Sequence, residues 1–121
     1  VAKRDGDRCV WCGCSFSDEN PSTLDHLIPV GWGGRNYFEN TVLACEPCNH
    51  RRGCSSALFF LYLCAEEGLV SNKETIKRQL ALASERMKKA PLAEQKKARQ
   101  KMLDPHRLLR AGFQYSGNCH V

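Results

Sequence analysis

The chain has 121 residues, 42% of them hydrophobic and 26% charged, a profile that fits one small folded domain and excludes wholesale disorder. No apolar run approaches the roughly 20 residues needed to span a bilayer, the longest being Ala57 to Ala65, so no membrane partner is expected. The net charge of +5 is unevenly placed: residues 1–56 carry six basic and seven acidic side chains, residues 57–121 twelve and six. Such an excess suits a polyanion, nucleic acid first among them; the alternative is a solvated helix surface. The opening at Val1, with no charged-then-apolar segment after it, reads as a fragment or a processed protein.

In chain order, the first element is a knuckle at Cys9-x-x-Cys12, followed by a polar loop from Ser15 to Ser22 with turn residues Asp18, Asn20 and Pro21. Thr23 to Ile28 (TLDHLI) reads as a strand ended by Pro29. A glycine-rich loop, VGWGGRN, covers Val30 to Asn36. Thr41 to Ala44 reads as a second strand running into the knuckle Cys45-x-x-Cys48, and Glu46 to Arg52 as a short helix. Ser55 to Glu67 is an apolar helix stopped by Gly68. Ser71 and Glu74 have capping-box spacing, and behind them Ile76, Leu80, Ala83 and Met87 form a helical stripe. Pro91 can open a further helix over Leu92 to Leu103, which Pro105 breaks, and Tyr115 to Val121 reads as a loose tail.

Eight cysteines stand at 9, 12, 14, 45, 48, 54, 64 and 119. A two-residue gap lets a knuckle aim both sulfurs at one point, and two knuckles complete a tetrahedral Zn²⁺ shell from Cys9, Cys12, Cys45 and Cys48. Cys14 competes with Cys12 for its place. A secreted disulfide scaffold is the alternative; paired C-x-x-C motifs favour zinc and a reducing, cytoplasmic setting. Cys64, in an apolar helical stretch, reads as a buried thiol.

With CVWC, LDHLIPVGWGG, ENTVLACEPCN and HRR in order, residues Arg4 to Gly53 resemble the HNH endonucleases, the zinc-containing ββα-metal nucleases. The resemblance implies an α+β fold: a zinc-pinned ββα-metal core over residues 1–54, with residues 55–121 left as a basic α-helical extension. It also implies metal-dependent hydrolysis of DNA phosphodiesters to 5′-phosphate and 3′-hydroxyl ends. Carried over residue by residue, His26 is the general base and Asn40 orients its ring. Asp25 and Asn49 hold a catalytic Mg²⁺ or Mn²⁺, with His50 ranked behind Asn49. The third family position is Asn rather than His, which shifts the expected ion toward hard Mg²⁺.

Elementary chemistry agrees. A neutral imidazole near pH 7 can take a proton from water, and one divalent ion can act as Lewis acid and template. Neighbouring residues on a strand point to opposite faces, so Asp25 and His26 can share a site only if the strand end twists. Each residue also has a plainer reading: His26 as a core histidine, Asn40 as a turn residue, Asn49 as a helix cap, the glycines as a flexible turn. Arg35, Arg51, Arg52, Lys73, Lys77 and Arg78 are the expected DNA contacts, mostly to phosphate. A homodimer follows if both strands are cut. The competing function is a non-catalytic zinc module that binds DNA or protein.

Overall fold

The computed structural model describes residues 6–89. β1 (Ser22–His26) and β2 (Thr41–Cys45) form an antiparallel pair, with Ser22 opposite Cys45 and His26 opposite Thr41. α1 (Glu46–Arg52) follows β2 directly, and α2 (Ala57–Glu66) and α3 (Lys73–Lys88) complete an α+β fold. The expected helix after Pro91 and the tail lie outside the described residues.

β1 ends two residues before the expected limit. The Leu27 N–H donates to the Asn40 carbonyl and the Ile28 N–H to Asn40 Oδ1, so one asparagine replaces the ladder. Two 3-10 turns, Val30–Trp32 and Phe38–Asn40, shape the inter-strand loop. Gly33 there takes φ 96°, the left-handed region open to glycine. A Cβ on Gly34 would lie 1.7 Å from the Ile28 carbonyl oxygen. These glycines serve a close approach of backbone to backbone.

β2 is buried along its whole length, as expected of a strand that packs on both faces. Its Val42 and Ala44 join Trp11, Leu27, Phe60, Leu61, Cys64 and Ile76 in one core cluster. The Trp11 and Phe60 rings meet edge to face at 5.0 Å, worth about 1 kcal/mol beyond the area they bury. The first knuckle is tied in from both sides: the Val10 N–H donates to the Leu43 carbonyl, and the Asn72 N–H to the Val10 carbonyl. Apolar residues of α2 and α3 therefore cover the same core that the knuckles close.

α2 is two residues shorter at its start than expected, because the Ser56 side chain accepts from the Phe59 N–H and caps it. The cap of α3 is Asn72, which accepts from the Thr75 N–H, and not the expected Ser71. The Ser71 hydroxyl is spent on the Trp11 carbonyl. Along α3, Ile76 and Ala83 are buried and Leu80 and Met87 half-buried, as the stripe predicts. Gln79 is buried too, donating to the Glu39 carbonyl, and Arg86 lies over the Tyr37 ring. α3 thereby braces the turn that carries Asn40.

Candidate functional site

The thiols of Cys9, Cys12, Cys45 and Cys48 all lie within 4.8 Å of one another. Cys12 Sγ and Cys45 Sγ are 3.8 Å apart, matching the edge of about 3.8 Å that a tetrahedron with Zn–S bonds of about 2.3 Å requires. Tight turns aim them: the Gly13 N–H donates to the Cys9 carbonyl and the Cys9 N–H to the Cys14 carbonyl. Cys14 Sγ stands 3.1 Å from Cys12 Sγ, beside the group of four, and accepts from Asn20 Nδ2.

The thiols are electrostatically unlike. A hydrogen bond from Cys48, with help from backbone amides, lowers the Cys9 thiol to about 4. Burial, with the Cys9 charge alongside, pushes Cys12 up to about 12 and Cys45 upward. The thiol that donates to Cys9, that of Cys48, is also pushed up. Thiols pushed up in this way must give up protons to bind a dication. The donor set and its spacing fit zinc.

His26 closes β1 and is half-buried. Its Nε2 faces Asn36 Oδ1 at 2.5 Å. An amide oxygen can only accept, so Nε2 is the donor in this contact, and Nδ1 is buried. Asn36 had no signal in the sequence beyond its place in a glycine-rich loop. Asn40, expected to orient the ring, does something else. It is 1% exposed, and its side chain pins backbone: Oδ1 accepts from the Ile28 N–H, and Nδ2 donates to the Ile28 and Arg35 carbonyls. It shapes the loop that delivers Asn36.

Asn49 sits within α1, not at its cap. Its Nδ2 donates to Thr23 Oγ1 and the Leu24 carbonyl on β1, and its Oδ1 is buried with no hydrogen-bond partner among the described residues. A buried amide oxygen left without a donor is a good acceptor for a hard cation. His50, one step on, is exposed. Of the two, Asn49 is the one that reaches β1.

Asp25 and Arg52 depart furthest from expectation. Both are 0% exposed. Arg52 Nη1 donates to Asp25 Oδ1 at 2.6 Å, and Trp11 Nε1 to Asp25 Oδ2 at 2.7 Å. Each oxygen thus accepts one hydrogen bond and neither reaches solvent, so Asp25 stands here as a core ion-pair partner and not at an open cation site. Burial pushes its carboxyl up, while Arg52 and the Trp11 N–H pull it back. Arg52, expected at phosphate, is sealed in the core and cannot reach one. Arg51 is exposed but paired with Glu67 at 2.5 Å and lies over Phe60. Arg35, Lys73, Lys77 and Arg78 are exposed. Trp32 is turned inward, its Nε1 donating to the Cys54 carbonyl.

Residues 9–57 match the family model described as HNH endonuclease. The match spans both knuckles, both strands, α1 and the first residue of α2, and so bears out the resemblance read from the motifs. No curated protein and no solved structure matches the chain.

Proposed function

We propose that this chain is a metal-dependent endonuclease that hydrolyses DNA phosphodiesters, with His26 as general base and a four-cysteine zinc site as its clasp. The observation that carries the reading is the seam between β1 and α1. There a half-buried imidazole held at Nε2 by Asn36 and an amide oxygen without a donor flank two elements that the HNH match covers. Nδ1 of His26 takes the proton from the attacking water, as a neutral imidazole can near pH 7. Nδ1 is buried, so the attacking water reaches it only when the surroundings of His26 open on substrate docking.

Asn49 Oδ1 is the protein oxygen offered to Mg²⁺ or Mn²⁺; such an ion would supply Lewis-acid stabilisation of the phosphate and the leaving oxygen. Backbone contacts come from Arg35, Lys73, Lys77 and Arg78, and from Arg51 once it exchanges Glu67 for phosphate. An exposed ion pair of that kind is worth under about 1 kcal/mol and is readily traded. A zinc-thiolate site of four cysteines favours a reducing compartment, the cytoplasm by preference. No helix among those residues is long and apolar enough to cross a membrane.

The sealed Asp25 favours one competitor, a zinc module that binds nucleic acid without cutting it. Supercoiled plasmid incubated with the zinc-loaded chain and Mg²⁺ or Mn²⁺ decides between them. The nuclease reading expects relaxed or linear DNA with 5′-phosphate ends. Intact plasmid beside a folded, zinc-loaded protein leaves only the binding module.

A further inference from the structure

We infer that Arg52 is a positioning residue for His26, and that Asp25 is its buried counter-ion rather than a ligand of the catalytic cation. The inference rests on the nuclease reading for its functional meaning and on three contacts of Arg52 for its geometry. Arg52 Nη1 donates to the His26 carbonyl at 2.6 Å as well as to Asp25 Oδ1, and Nη2 donates to the Leu27 carbonyl. The guanidinium therefore grips both carbonyls at the point where β1 stops and the ladder to β2 has ended. Asn49, from the same helix, meets β1 earlier, at Thr23 and Leu24.

Four features mark this as a device rather than chance packing. A guanidinium at 0% exposure is retained only where its hydrogen bonds are met by a carboxylate and carbonyls. Arg52 Nε has no hydrogen-bond partner among the described residues, and the Trp11 ring face, 5.3 Å from the guanidinium carbon, stabilises the cation instead. Trp11 stands between the zinc ligands Cys9 and Cys12, its own N–H donating to Cys9 Sγ. Its Nε1 holds the second oxygen of Asp25. A continuous path thus runs from the first knuckle through Trp11, Asp25 and Arg52 to the His26 carbonyl.

The fork geometry matters, because a lysine offers a point charge and cannot span two carbonyls and a carboxylate in one plane. The test uses the full, zinc-loaded chain as wild type, Arg52→Lys and Asp25→Asn. Plasmid cleavage is measured against Mg²⁺ concentration, and the His26 imidazole resonances are followed by NMR. Arg52→Lys is expected to lower kcat at least tenfold, to leave the half-saturating Mg²⁺ within twofold of wild type, and to move the His26 resonances. Asp25→Asn, which keeps shape and removes the charge, is expected to do the same, and it carries the test if Arg52→Lys fails to fold. A rise of more than tenfold in half-saturating Mg²⁺ for Asp25→Asn, with His26 unmoved, overturns the inference and makes Asp25 a cation ligand. If the wild type cuts nothing, the nuclease reading fails separately. The resonances then decide the positioning claim alone, and unmoved resonances end it.

Discussion

Gly34 closes the inter-strand loop on itself. Any Cβ there would sit 1.7 Å from the Ile28 carbonyl oxygen and 3.0 Å from Asn40 Nδ2, both parts of the Asn40 clamp. Backbone cannot yield as a side-chain tip does, so Gly34→Ala should destabilise the fold by about 3 kcal/mol, read as a lowered denaturant midpoint with unchanged slope. A variant as stable as wild type would mean the loop is not held as described. The residue scale is also where the sequence misled most. Arg51 and Arg52 are identical in type and adjacent, yet one is exposed beside Glu67 and the other buried against Asp25. Their difference is a matter of which side of α1 meets β1, a tertiary fact that composition does not carry. Asn36 left no trace because a loop has no period: its contact with His26, ten positions away, exists only once Gly33, Gly34 and Asn40 have folded the chain back. Asp25 was legible as a special carboxylate, but its partner Trp11 lay hidden inside the C-x-x-C knuckle.

The elements were far easier to read. Both strands, α1, α2 and α3 stand where periodicity and stop signals put them, because alternation and the 3.6-residue repeat record burial directly. Boundaries slipped where side chains compete with backbone. Asn40 truncates β1, Ser56 sets the start of α2, and Asn72 displaces Ser71 as the cap of α3. Ser71 and Asn72 are both good caps by chemistry, and only the nearby Trp11 carbonyl, which takes the Ser71 hydroxyl, decides between them. Asn72→Ala should therefore cost about 1 kcal/mol while Asn72→Gly costs a few tenths, measured by thermal unfolding. Equal losses from the two substitutions would show that the Asn72 side chain is not the cap.

For the molecule as a whole, the four-cysteine cluster joins the two knuckles to one core, and structural zinc binding at such a cluster carries about 10–16 kcal/mol of folding free energy. Cys45→Ser should abolish folding, and a soluble folded variant would show that these thiols hold no metal. Cys12, Cys45 and Cys48 are pushed up and must each lose a proton on binding, whereas Cys9, lowered to about 4, is already ionised. Apparent zinc affinity should therefore rise with pH across the neutral range, by about tenfold per unit for each proton released, and fall as acid returns protons to the three thiols. A pH-independent affinity would contradict the assignment of those thiols. The four-cysteine framework was legible because its spacing is local and repeated, whereas the seam proposed for catalysis depends on how α1 lies on β1. That seam is tested most directly by comparing wild type with His26→Ala for plasmid cleavage, DNA binding and zinc content in parallel. The account predicts that cleavage falls at least about a hundredfold while binding and zinc stay at wild-type levels; a His26→Ala protein that cuts as fast as wild type would contradict it.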